Sequence, residues 1–278
     1  MENEVIEVSG SAMLEAINRS EVDSQIVTAH KFPRNITECK KNIVELAAMD
    51  DTIAYNCFYH LERKDKNGNM AVIEGPSIRL AEIIAACWGN LRIAQRIIAN
   101  DGKTITAQGV CHDLETNVAI STEVKRSILT SKGYTFSQDM QVVTGNAAAA
   151  IALRNAVCKV VPSVLIKSCI DAIQAKALEH IQQVGVSESW KNCVAWFQTL
   201  GVTEGMLLEY LNKTSEQITD KDIQSLGGVY NAIKEGTTTV DETFKKQKQQ
   251  EKIAENVQRA AKSAQDKAQA AINKQRGK

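Results

Sequence analysis

Six cations and three aromatic side chains carry the clearest chemical pattern in the chain. Arg92 and Arg96 stand four residues apart in a β-favouring run, so they share one face of an expected strand, while Leu91, Ile93 and Ile97 share the other. Lys125 and Arg126 close a second such run; being adjacent, they point to opposite faces, and at most one joins the Arg92 surface. Arg154 and Lys159 belong to a long helical pattern expected to cross the sheet. Cations spaced in this way can hold successive phosphates, and Tyr55, Tyr59 and Trp88 are the aromatic residues placed to stack on bases. Taken singly, a core position is the simpler expectation for each aromatic, and a solvated surface charge for each cation.

Other chemistries are poorly served. There is no GxxxxGK[ST] phosphate loop, no GxGxxG after a strand, no HExxH and no GxSxG. His30, His60, His112 and His180 fall on separate expected elements. The seven cysteines, Cys39, Cys57, Cys87, Cys111, Cys158, Cys169 and Cys193, occur singly with no CxxC pair, which reads as reduced, small core side chains rather than a disulfide frame or zinc site. Asp50–Asp51 serves a metal nuclease only beside further carboxylates, and turn acids are the plainer reading. No catalytic residue, cofactor or metal is expected, and the chain reads as a binding protein rather than an enzyme.

The elements that must position these residues follow from periodicity and punctuation. Residues 1–34 form an N-terminal extension, with a short helix near Ala12 to Ile17 and a flexible connection. Ile36, Cys39, Ile43, Leu46 and Ala47 predict a helix capped by Asn35 or Thr37. The aromatic run Ile53 to Leu61 and the run Met70 to Ile73 predict an antiparallel hairpin with a charged tip at 64–69, after which Pro76 and Ser77 open a helix through Trp88. Leu91 to Ala99, Lys103 to His112 and Val118 to Ile128, joined by Asn100–Asp101–Gly102 and Asp113 to Asn117, predict a three-stranded meander. A helix from about Met140 follows; Pro162 ends it and Ser163 caps the next, which runs to about Gln183. Beyond Gly185, three short helices with Trp190, Trp196, Phe197 and Tyr230 predict a compact helical module over 186–243. The expected class is α+β, an antiparallel sheet with crossing helices followed by a small all-helical module.

Charge divides the 278 residues unevenly although the total of 33 basic and 33 acidic side chains cancels. Residues 186–243 carry 4 basic against 9 acidic, and residues 245–278 carry 10 basic against 3 acidic. The segment 244–278 is therefore expected to be a basic, flexible tail suited to nucleic acid or an acidic partner, with a merely solubilising end as the equal alternative. No run approaches the ~20 apolar residues of a membrane span, and the acidic start MENEVIEVSG is unlike an export signal, so a cytoplasmic protein without a membrane partner is expected.

Several motifs carry a resemblance. Tyr55-Asn-Cys-Phe-Tyr59, Ile73-Glu-Gly-Pro-Ser-Ile-Arg-Leu-Ala-Glu82 and Trp88-Gly-Asn90 resemble a family of bacteriophage single-strand annealing proteins related to RecT and lambda Beta. Cys111-His-Asp-Leu-Glu-Thr-Asn117, Lys125–Arg126 and the helix from Asn146 to Pro162 are similar to that family's sheet and following helix. Leu200-Gly-Val-Thr203, Ile218-Thr-Asp220 and Tyr230-Asn-Ala-Ile-Lys-Glu-Gly236 resemble its small C-terminal module. The likeness spans roughly 35–243 and implies an annealing and oligomerisation core over 35–185 with a partner-binding module over 186–243. It implies ATP-independent binding and annealing of single-stranded DNA through a duplex intermediate, in phage recombination in the host bacterial cytoplasm. It also implies a homo-oligomeric ring or helical filament and partnership with the host single-strand-binding protein and a phage exonuclease. The near balance of 19 basic and 21 acidic residues over 1–185 departs from a strongly basic binder, so any groove must arise from local segregation of charge. A DNA-associated structural or regulatory oligomer that does not anneal is the alternative.

Overall fold

The computed structural model describes residues 2–49, 51–64, 70–130 and 132–245. The chain opens with α1 (Glu2–Lys31), a thirty-residue helix, where a short helix and a flexible connection were expected. No proline interrupts this stretch, so helix propensity carries it through without a sustained apolar stripe. Helix α2 (Ile36–Ala47) follows, its Asn35 side chain accepting from the Thr37 and Glu38 N–H groups, and Cys39, Ile43 and Ala47 form its buried face. The run expected to begin a strand at Ile53 instead starts as α3 (Asp51–Asn56), and β1 (Phe58–Lys64) begins only after it.

Strand β1 pairs antiparallel with β2 (Met70–Pro76), from Phe58 opposite Pro76 to Lys64 opposite Met70; most of the expected charged tip lies outside the described residues. Ser77 then caps α4 (Ile78–Trp88) by accepting from the Leu80 N–H at 3.1 Å. The expected meander is present as β3 (Leu91–Asn100), β4 (Thr104–Asp113) and β5 (Val118–Ser127), in the order β3-β4-β5. A bulge between Ile97 and Ala99 shifts the β3 register near its end.

Helix α5 (Gln138–Val160) lies across one face of this sheet. Along β4, Ile105, Ala107, Gly109, Cys111 and Asp113 alternate into the buried side. The approach is close because Ala107 meets Ala148, Ala149 and Ala152 there. A Cβ on Gly109 would stand 2.3 Å from the Ala152 carbonyl carbon, so only glycine fits at this crossing.

Pro162 ends α5 and opens α6 (Ser163–Val184), its carbonyl accepting from Leu165 and Ile166. Ser163 is not the cap that was expected: Pro162 occupies the cap position with its fixed φ, and Ser163 is the first helical residue. Helices α7 (Val186–Gln198), α8 (Glu204–Leu211) and α9 (Asp220–Lys234) complete the C-terminal part, with Thr203 capping α8 and a reciprocal Thr219–Asp222 box opening α9.

The core of these last helices is continuous with that of the preceding elements. One apolar cluster runs from Cys39 through Leu80, Val157, Ile173, Phe197 and Leu226 to Phe244. Asn231 of α9 donates to the backbone carbonyls of Tyr55 and Phe58, and Gly228 lets α9 press on His60 of β1, where an added Cβ would stand 2.6 Å from the His60 Cβ. Phe244, which the sequence assigns to the start of the tail, is buried edge-on against Phe197 and Tyr210. The rest of the basic tail, 246–278, lies outside the described residues. Among the described residues no single helix is long and apolar enough to cross a membrane.

Candidate nucleic-acid interface

The face of the three-stranded sheet opposite α5 gathers half of the expected phosphate ligands. In the observed register Arg92 pairs with His112, Arg96 with Gln108, and Thr106 with Lys125, so Arg92, Arg96 and Lys125 point to the same side. Arg96 is exposed and donates through Nε and Nη2 to Gln108 Oε1, at 3.0 and 2.8 Å, which fixes its fork on the surface. Arg92 donates to Gln25 of α1 at 3.0 Å. Lys125 is mostly exposed, with its Nζ 3.7 Å from Asp101. Asp101 is held well below the usual carboxylate range by hydrogen bonds from Thr104 and the Lys103 N–H, with Lys125 adding to the effect. Glu123 shares the face, so the strands themselves contribute three permanent cations against one acid.

The remaining three cations are elsewhere. Arg126, one residue from Lys125, turns to the helix side and donates to the Gly236 carbonyl; burial lowers its pKa, with Glu242 pulling the other way. Arg154 is 7% exposed, so it is not a surface phosphate ligand. Its guanidinium lies 5.0 Å from the centre of the Tyr59 ring and 3.6 Å from Glu235. Lys159 is exposed in the last turn of α5, where it complements the helix dipole.

The three aromatic candidates have structural partners. Trp88 is buried beneath Arg34, whose Cζ is 4.7 Å from its ring. Arg34 in turn grips Asp113 through both terminal nitrogens, at 2.5 and 2.6 Å, and Glu115 through Nε at 2.9 Å. Burial works against the Arg34 charge, but the bonds and charges of Asp113 and Glu115 outweigh it and raise its pKa. Tyr55 is buried, donates to Ala177 O at 3.3 Å and meets Trp196 edge-on at 5.5 Å. Tyr59 is half-buried under Arg154. None of the three presents a free ring face on the sheet surface.

His112 and Gln108, neither of them expected as a DNA contact, stand on the open face beside the arginines. The alternation Thr104, Thr106, Gln108, Val110, His112 along β4 already marks them as the set turned away from α5, each half-buried. Glu235 is the partner of Arg154, a pairing for which the sequence carries no local signal. Burial pushes the Glu235 carboxyl up to about 7, while the Ile78 N–H and the Arg154 and Arg79 charges pull it down. Burial also raises the thiols, Cys57, Cys111 and Cys193 to about 12, in keeping with inert core positions. Among the described residues no three His, Cys, Asp or Glu side chains converge as a metal site. No family model matches the chain, and no curated protein or solved structure matches it either.

Proposed function

We propose that this chain binds single-stranded DNA along the open face of the β3-β4-β5 sheet and anneals complementary strands without nucleotide hydrolysis. The observation that supports the reading is the shared face of Arg92, Arg96 and Lys125, flanked by the polar side chains of His112 and Gln108. Three cations on a shallow polar surface suit a phosphate backbone read without regard to sequence. The reaction class comes from the resemblance to the phage annealing proteins, and with it the proposed setting in recombination in a bacterial host.

Assembly belongs to the same proposal. Strand β3 is a ten-residue edge strand with Ile93, Ile97 and Ile98 all more than 40% exposed, the type of edge that pairs with another chain. In this reading it is a contact between copies in a ring or filament. The acidic helices α7–α9 are the proposed contact for the host single-strand-binding protein or a phage exonuclease.

Fluorescence-monitored annealing of complementary oligonucleotides, without nucleotide or divalent metal, tests the function. Acceleration by the full chain is the expected result. An unchanged rate at concentrations where the chain binds DNA would overturn annealing in favour of a structural or regulatory DNA-associated oligomer. Strand scission in a parallel reaction with magnesium would reject the non-enzymatic reading.

A further inference from the structure

Where α3, α7 and α9 meet, a cavity of about 190 Å³ is lined by Tyr55, Asn56, Trp196, Gly227, Tyr230 and Asn231. Its walls are of two kinds. Tyr55 and Asn231 are buried and fixed, Tyr55 through Ala177 O and Asn231 through the carbonyls of Tyr55 and Phe58. Trp196 and Tyr230 are half-buried, with ring centres 6.3 Å apart and planes tilted by 40°, and Asn56 is exposed at the mouth. Gly227 keeps the floor open; an added Cβ would touch the Tyr55 ring at 3.5 Å.

The lining decides the class of ligand. None of the six lining residues carries a charge at neutral pH, so an ionic group would enter without a counter-charge. Three aromatic rings favour a flat π-system, and two amides favour one with hydrogen-bonding edges rather than a hydrocarbon. One turn after Tyr230, the exposed Lys234 holds its Nζ 5.8 Å from that ring, placing a cation beside the cavity. A neutral heteroaromatic ring attached to an anionic backbone matches all of these features.

We propose that the Trp196–Tyr230 cavity receives an unpaired nucleobase of the bound single strand, with Lys234 beside it for the phosphate. This rests on the single-strand-binding reading and adds to it a base-stacking site on the C-terminal helices, separate from the open sheet face. Such a site is indifferent to sequence, because every base offers a π-face.

Photocrosslinking of the full chain to a 5-bromodeoxyuridine oligonucleotide, mapped by mass spectrometry, tests it directly. Crosslinks to Trp196 or Tyr230 are expected. In binding titrations, Tyr230→Ala is expected to weaken a base-containing strand about five-fold or more, with little effect on an abasic strand of equal charge, whereas Tyr230→Phe keeps wild-type binding. Because Tyr230 also packs on Phe197, the crosslink on the unaltered chain stands independently of how Tyr230→Ala folds. Crosslinks confined to β3–β5 would overturn the cavity assignment while leaving the sheet interface standing. Absence of any single-strand binding would overturn both. Saturable binding of an aromatic peptide at Trp196, in a chain that crosslinks no base there, would reassign the cavity to a protein partner.

Discussion

Arg154 Nη1 stands 3.6 Å from Glu235 Oε2, each side chain at most 11% exposed, and neither of these two atoms has a hydrogen-bond partner. The pair joins the C-terminal half of α5 to the end of α9. Its carboxyl has a raised folded-state pKa of about 7, against an ordinary 4.5. Between those values the folded protein holds a proton that the unfolded chain releases, so this group's stabilisation is complete below about 4.5 and is lost as pH rises through about 7. Wild type is therefore expected to lose up to about 3 kcal/mol more than Glu235→Gln between pH 5 and 8. Urea melts of both chains across that range check it; parallel pH profiles would contradict it.

Arg34→Met removes the cation that holds Asp113 and Glu115 and covers Trp88. Two carboxylates are then left without their counter-charge, and the expected loss is about 3–5 kcal/mol. Arg34→Lys should recover only part of it, because an ammonium cannot bond both acids and lie flat on the indole. Thermal melts of the two variants measure the difference.

Replacing Arg92, Arg96 and Lys125 together by Gln is expected to weaken binding to unrelated single strands equally. It should also reduce the slope of log affinity against log salt by about 2. Arg126→Gln and Arg154→Gln are expected to lower the melting temperature instead, because Gly236 and Glu235 are their partners. Binding isotherms at several salt concentrations, beside thermal melts, separate the two groups.

Ile98→Lys places a charge on the exposed β3 edge at its bulge. Monomer stability should change by no more than about 0.5 kcal/mol, while self-association falls. Sedimentation velocity against concentration reads the second effect. An unaltered assembly profile would move the contact between copies away from β3.

The residues of the meander were legible because strand alternation is local. Arg92 and Arg96 on one side, with Leu91, Ile93 and Ile97 on the other, follow from period two alone, as does the division of Lys125 from Arg126. The starts of α2 and α4 were legible for the same reason, since Asn35 and Ser77 each cap within three residues, whereas the cap expected at Ser163 falls instead on Pro162. The region around Tyr55 was not. Its β-favouring residues are overridden by packing against α6 and α9, which local propensity does not encode. Arg126 looked like a surface cation because its partner, Gly236, is 110 residues away in sequence. The fold class was therefore readable from periodicity, whereas the division of six cations into surface and interior required the tertiary structure.

The clamp of Asn231 on Tyr55 and Phe58 also bears on the order in which the chain can acquire its shape. Its two hydrogen bonds close loops of 176 and 173 residues. During synthesis, β1 and α3 leave the ribosome long before α9 exists, so their final packing must wait for the C-terminal third of the sequence. The β3–β5 meander and α5 have no such delay, since their pairings are between neighbours in sequence. Completion of the native core is therefore a late, long-range event with a large loop-closure entropy, and a nascent chain halted before α9 carries a paired sheet beside an unsealed apolar surface.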